Sequence, residues 1–139
     1  AAGAVAASQI QEPVEEIPCR VMACGLGASP GRVIGRIALS CTAAVEMAER
    51  GERVVLVRPR TAPDDLPGMV AAVAVLTQHG GTTSHAANNA RYMGKPCVVG
   101  CPDLEMDQDT GSVRLGAEAL KEGDELVIDG GSGEVGLPC

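Results

Sequence analysis

Three short apolar runs constrain the fold more than anything else in this chain: RVVLVRP (53–59), AVAVLT (72–77) and PCVVG (96–100). Each is short, rich in β-branched residues and free of polar alternation. A strand with one wet face alternates apolar and polar residues, whereas a strand covered on both faces does not. The runs therefore predict neighbouring strands of one sheet, buried on both sides. VIGRIALS (33–40) is strand-like, and GLGASPG (25–31) before it reads as a turn-rich loop. CTAAVEMAERG (41–51) reads as a helix: Ser40 or Thr42 can cap it, Glu46 and Arg50 stand four apart, and Gly51 can stop it. QHGGTTSHAANNARYMGK (78–95) has the order loop, cap, helix and C-terminal glycine, Gly94. Residues 102–111 read as polar loop, SVRL (112–115), ELVID (125–129) and EVGL (134–137) as strands, and GGSG (130–133) as a turn. Strands alternating with helices in the middle and hairpin-like strands at the end predict a mixed β/α domain.

A chain of 139 residues suits one domain. Residues 1–22 carry Pro13, Pro18 and the acidic Glu12, Glu15 and Glu16 without periodicity, which predicts a linker or flexible arm ahead of a domain over 23–139. The opening AAGAVAASQI has no basic start and no initiator Met, so the chain is expected to be processed or cut from something longer. With one tyrosine, no Phe and no Trp, the core must be built from Val, Leu, Ile, Ala and Met. No aromatic platform exists for stacking bases, the net charge is −7, and the largest basic concentration is Arg58 with Arg60, so nucleic acid is not an expected partner. No apolar stretch reaches the roughly 18 residues of a membrane span. The cysteines at 19, 24, 41, 97, 101 and 139 form no CxxC pair, so no metal site is expected. They read as thiols of a reducing cytoplasm, Cys97 buried among them.

Both histidines lie in one window, HGGTTSH, as His79 and His85. His79 reads as a surface or satisfied residue. His85 stands out by position. Gly80 and Gly81 permit a turn that other residues resist, and Thr83 is a natural N-cap, which places His85 in the first helical turn. Free backbone N–H groups and the positive dipole end there favour an anion. A phosphate carried on His85 would sit in that field, and Gly81, Thr83 and Ser84 are the residues expected to bind it. Arg91 is expected to be a surface or salt-bridging arginine, and Arg58 and Arg60 to hold Asp64 and Asp65. A capped structural helix is the rival reading of this window.

The segment GGTTSHAANNARYMGKPCVVGC (80–101) resembles the phosphohistidine segment of the PEP-utilising enzymes, in which a GGxTSHAAxxAR stretch carries the phosphate-shuttling histidine. GASPG (27–31), VVLVRPRTAPDDLPGM (54–69) and VIDGGSGEV (127–135) resemble the same domain in the same order, so the resemblance covers about residues 23–137. Ser84 before the histidine and MGKPCVVGC after it are most similar to the pyruvate phosphate dikinase subfamily. The resemblance implies an α/β fold, a three-layer β/β/α swivelling domain, with His85 as nucleophile and carrier. It implies partners too: an ATP-grasp nucleotide-binding domain and a PEP/pyruvate-binding barrel, with Mg²⁺ on those domains and no cofactor on this one. It maps the family's regulatory threonine onto Thr83, where a kinase and phosphatase would act. Asn88, Asn89 and Tyr92 depart from the family's usual aliphatic or small residues, and 85, 89 and 92 share one helix face. No GxxxxGK[ST] loop occurs, and too few residues remain for a barrel, so the chain alone is not expected to turn over ATP or PEP. Two other classes stay open: a freestanding non-catalytic or regulatory relative that binds a partner through the His85 face, and a metal-binding protein using His79, His85 and cysteines.

Overall fold

The structure is a computed structural model that describes residues 19–107 and 109–138. The strands are β1 (Cys19–Cys24), β2 (Leu26–Ser29), β3 (Arg32–Ala38), β4 (Val54–Arg58), β5 (Ala74–Thr77), β6 (Cys97–Val99), β7 (Leu104–Asp107), β8 (Ser112–Leu115), β9 (Glu118–Lys121), β10 (Glu125–Asp129) and β11 (Glu134–Pro138). The helices among these residues are α1 (Cys41–Glu49), α2 (Leu66–Ala71), which follows a 3₁₀ turn over Pro63–Asp65, and α3 (His85–Met93).

The main sheet has eight strands in the order β1-β11-β10-β3-β4-β5-β6-β2, and β7-β8-β9 form a second sheet of three. The pairs β3–β4, β4–β5 and β5–β6 are parallel. They are joined through α1, α2 and α3 in turn. Strands added in one direction through right-handed crossovers place every crossover helix on the same face of a sheet. The alternation hidden inside the apolar runs shows the result. Val54, Leu56, Val75, Cys97 and Val99 pack with Ala44, Met47, Met69, Ala86, Ala87 and Ala90 of the helices. Val55, Val57, Leu76 and Val98 point the other way, against Leu104, Val113 and Leu115 of the small sheet and Leu126, Ile128 and Val135. Helices, main sheet and small sheet are the three layers of a β/β/α arrangement, as expected.

β1 and β2 occupy opposite ends of the sheet order yet are separated by Gly25 alone, so the sheet must curl until its two ends meet. The curl brings GLGASPG against the β10–β11 turn: Gly25 N–H donates to Gly133 O at 2.8 Å and Gly130 N–H to Gly31 O at 2.8 Å. A Cβ on Gly130 would fall 1.7 Å from Ser29 O, which is why a side chain is not tolerated at this crossing.

Several expectations are corrected. Residues 19–22, assigned to the arm, lie in β1, which pairs with β11; residues 1–18 are outside the described set. Leu26–Ser29, read as loop, is an end strand paired with β6. Leu104–Asp107, also read as loop, is a strand whose Glu105 and Asp107 are exposed while Leu104 is buried. β9 went unread because its four residues are half-buried or exposed and carry no apolar run. α2 was hidden by Pro67 and Gly68, two helix-disfavouring residues. Proline is tolerated in the first turn, and Gly68 meets α1, where a Cβ would fall 2.9 Å from Cys41 Cα. Arg50 pairs with Glu52 at 3.2 Å rather than with Glu46. Of the two caps considered for α1, Ser40 serves: its Oγ accepts from Ala43 N–H at 3.0 Å.

Candidate functional site around His85

Parallel sheets place the loops that follow their strands at one common edge, the carboxyl edge, where ligands of α/β sheets bind. Here Arg60 and Thr61 follow β4, and His79 and Gly80 follow β5. Pro59 O accepts from His79 N–H at 2.9 Å, and Thr77 Oγ1 donates to His79 O at 2.7 Å, which pins the start of the glycine loop to the ends of both strands. Gly80 takes φ +108°, a value L side chains rarely adopt, whereas Gly81 has no positive φ. The expectation that both glycines are conformationally required therefore holds for Gly80 only. Ser84 N–H closes the turn on Gly81 O at 3.0 Å.

That turn decides the cap. Ser84, with φ −71° and ψ 168°, is the N-cap of α3, and its Oγ accepts from Ala87 N–H at 3.3 Å. Thr83, expected to cap, sits one residue earlier with an exposed side chain; its carbonyl accepts from Asn88 Nδ2 at 3.1 Å. His85 is thus the first residue of α3, and Gly94 ends the helix in the left-handed region, as expected. Gly81, Thr83, Ser84 and His85 are contiguous along this turn and helix start.

The side chain that engages His85 comes from the β4 loop: Thr61 Oγ1 lies 2.8 Å from His85 Nδ1. Thr61 is 8% exposed, so its hydroxyl has little water to bond instead. Sequence reasoning missed Thr61. The available signal was a lone hydroxyl in RPRTAPDD, directly beyond a strand buried on both faces. Nδ1 is the ring nitrogen hydrogen-bonded among the described residues, and Nε2 has no such partner among them. A cavity of about 210 Å³ opens over the ring, lined by Arg60, Thr61, His79, Gly80, Ser84 and Ala86. Arg60 is the permanently charged group in that lining, and no carboxylate shares it.

The arginines divide in an unexpected way. Arg58 meets Asp65, Nε to Oδ1 at 3.7 Å, as expected, and also donates to Leu39 O at 2.8 Å. Arg60 does not join them; it lines the cavity. Arg91 is exposed, as expected, and makes no salt bridge among the described residues. It donates to Ala28 O at 3.0 Å, to Thr82 O at 2.6 Å and to Asn88 Oδ1 at 2.6 Å, tying the glycine loop to β2 and α3. Asn89 Nδ2 donates to His85 O at 2.8 Å. The two asparagines therefore bond the backbone around the histidine. Tyr92, on the same helix face, is 91% exposed.

Beneath α3, Cys97 is fully buried, and burial pushes its thiol up to about 12, with Arg91 opposing weakly. Burial also raises the Cys101 thiol and lowers the ammonium of Lys95, which caps the end of α2 through Met69 O at 2.9 Å and the carbonyls of Val70 and Ala72. Among the described residues no group of three or more His, Cys, Asp or Glu is placed to hold a metal ion. No helix among them is long and apolar enough to cross a membrane.

The chain is 44% identical over 115 residues to the chloroplastic pyruvate, phosphate dikinase of Flaveria pringlei, a match covering 83% of this chain and 12% of that protein. It is likewise 44% identical over 115 residues to the pyruvate, phosphate dikinase of Rhizobium meliloti (strain 1021), covering 83% of this chain and 13% of the relative. The chain thus spans about an eighth of the length of these relatives. Among solved structures, the N-terminal domain of Enzyme 1 - Nitrogen shares the fold at a TM-score of 0.51 and 14% identity, over 81% of this chain and 92% of that one. The sequence pattern of the PEP-utilising enzyme, mobile domain family matches residues 50–133, which include β4, the Thr61 loop, the glycine loop and α3. The chain belongs to the PEP-utilising enzyme mobile-domain family and is homologous to pyruvate, phosphate dikinase.

Proposed function

We propose that this chain is the phosphoryl-carrier domain of a pyruvate phosphate dikinase-type phosphotransferase, with His85 as the residue that is phosphorylated. The observation that carries the reading is the 2.8 Å contact of His85 Nδ1 with buried Thr61 Oγ1, at the first residue of a helix. With Thr61 accepting, the ring is held as the Nδ1–H tautomer and Nε2 bears the lone pair. Nε2 attacks the donor phosphorus, an N–P bond forms, and the P–O bond to the leaving group breaks with its electron pair staying on that oxygen. The Nδ1–H···Oγ1 bond supports the positive charge that develops on the ring. Gly81, Thr83 and Ser84 present backbone and hydroxyl groups at the same helix start to the phosphoryl oxygens. In the return step the N–P bond breaks and the acceptor oxygen takes the phosphoryl group.

A carrier must meet a donor and an acceptor. The proposed partners are an ATP-grasp nucleotide-binding domain and a PEP/pyruvate-binding barrel, in cis or in trans. Mg²⁺ held by those domains would neutralise donor and acceptor phosphates; this domain is proposed to bind no cofactor itself. The isolated chain is accordingly proposed not to turn over ATP or PEP. Thr83, exposed two residues before His85, is the proposed site of a regulatory kinase and phosphatase. A reducing, cytoplasmic setting belongs to the same proposal and is compatible with Cys97 and Cys101 as free buried thiols. The test is to incubate the chain with labelled PEP, or with ATP and phosphate, together with the two partner domains of a dikinase. Acid-labile, base-stable label on the chain is expected; its absence with active partner domains contradicts the reading.

A further inference from the structure

We propose that Arg60 and His79 are the two arms of an oxyanion clamp that binds the phosphoryl group at His85. This rests on the carrier reading and names the side chains that hold its cargo.

The cavity over His85 draws its two other nitrogen-bearing side chains from the two strand ends that flank it, Arg60 after β4 and His79 after β5. No carboxylate lines it, so an anion entering meets no opposing negative side chain. Arg60 also makes no hydrogen bond or ion pair among the described residues. Arg20, Arg32, Arg50 and Arg58 are paired with carboxylates, while Arg36, Arg53 and Arg91 are spent on backbone carbonyls. Among the described arginines, Arg60 and Arg114 have neither kind of partner, and Arg114 lies on the small sheet. A guanidinium beside a cavity with no carboxylate of its own is the arrangement that recognises a phosphate, through two parallel N–H donors. His79 is held by its backbone rather than its ring: its N–H is fixed on Pro59 O and its carbonyl on Thr77 Oγ1. Its imidazole makes no hydrogen bond among the described residues and offers an N–H donor whether neutral or charged. A cavity of about 210 Å³ has room for a phosphoryl group and a few waters, not for a nucleotide. The ligand class is therefore a tetrahedral oxyanion, with the remainder of the donor lying outside.

The test uses the 139-residue chain with two probes, inorganic phosphate and the small donor phosphoramidate. In a titration followed by amide NMR, phosphate should shift the signals of residues 80–85. Arg60→Gln should weaken binding about tenfold, the value for one charge-assisted hydrogen bond. Arg60→Lys should recover part of it, the double variant Arg60→Gln/His79→Gln should show no saturation, and Arg114→Gln should match the parent. With phosphoramidate, the double variant should label His85 about tenfold more slowly at unchanged thermal stability. Phosphate binding that is equal in parent and double variant, or that leaves residues 80–85 unmoved in the parent, overturns the clamp. So does equally fast labelling of His85 in both, an outcome that leaves the carrier reading standing. Absence of label on His85 in the parent strikes the carrier reading, and the phosphate titration then decides on the clamp alone.

Discussion

Thr61 Oγ1 and His85 Nδ1 stand 2.8 Å apart, joining a loop after β4 to the first residue of α3 across 24 positions of sequence. The contact exists because β4 and β5 are parallel neighbours whose carboxyl ends release both loops on the same edge. It leaves Nε2 as the ring nitrogen for the proposed phosphoryl transfer, and it holds the ring without a carboxylate that would repel a phosphate.

Replacing Thr61 should therefore act on chemistry more than on folding. Thr61→Val keeps the volume and removes the acceptor, so His85 should be labelled about tenfold or more slowly, while Thr61→Ser stays near the parent. Ring ¹⁵N shifts should show the Nδ1–H tautomer losing population in the valine variant. Unchanged shifts and rate in that variant would show that the contact does not orient the ring.

The cap assignment predicts an asymmetry between adjacent hydroxyls. Ser84→Ala should cost about 1 kcal/mol of stability, within a range of roughly 0.5–2, because Ala87 N–H loses its partner. Thr83→Ala, at an exposed position outside the helix, should cost less than about 0.5 kcal/mol. Urea unfolding of the two variants checks the order, and a larger loss at Thr83 would return the cap to that residue.

How much of this was legible beforehand follows from what each residue touches. β4, β5 and β6 could be read because burial on both faces leaves them apolar throughout, except for Arg58 and Thr77 at the carboxyl ends of β4 and β5. β1, β2, β7 and β9 could not, since strands at sheet ends or with one wet face keep charges and glycines. That His85 starts a helix was readable from HGGTTSH and Gly94. Which of Thr83 and Ser84 caps it was not, because both can, and the choice belongs to the turn that Gly80 sets. The partner of Thr61 could not be read for a different reason: it depends on which strands are neighbours, a property of topology that no local window contains.

Cys97 predicts a loss of stability in alkali. Its thiol rises from an ordinary 9.0 to about 12 in the fold, so between these values the unfolded chain releases a proton that the folded chain keeps. The contribution is complete below pH 9.0 and disappears as pH climbs toward about 12, with a slope of at most about 1.4 kcal/mol per pH unit. Between pH 8 and about pH 10.5 the parent should lose about 2 kcal/mol more than Cys97→Val. Equal losses in the two proteins would mean that the thiol ionises in the fold.

Phosphate on Thr83 would add a charge of roughly −1.5 to −2 beside the proposed phosphoryl site. Thr83→Asp, carrying part of that charge, should slow phosphorylation of His85 while leaving the thermal midpoint near that of the parent. Labelling as fast as the parent's would exclude electrostatic blocking as the means of control.

The central claim is that His85 alone carries the phosphoryl group. The most direct measurement is mass-spectrometric mapping of acid-labile label after incubation with the partner domains and labelled PEP, in the parent, His85→Ala and His79→Ala. The account predicts label on His85 in the parent and in His79→Ala, and none in a folded His85→Ala chain. Label retained by His85→Ala, on His79 or elsewhere, would contradict it.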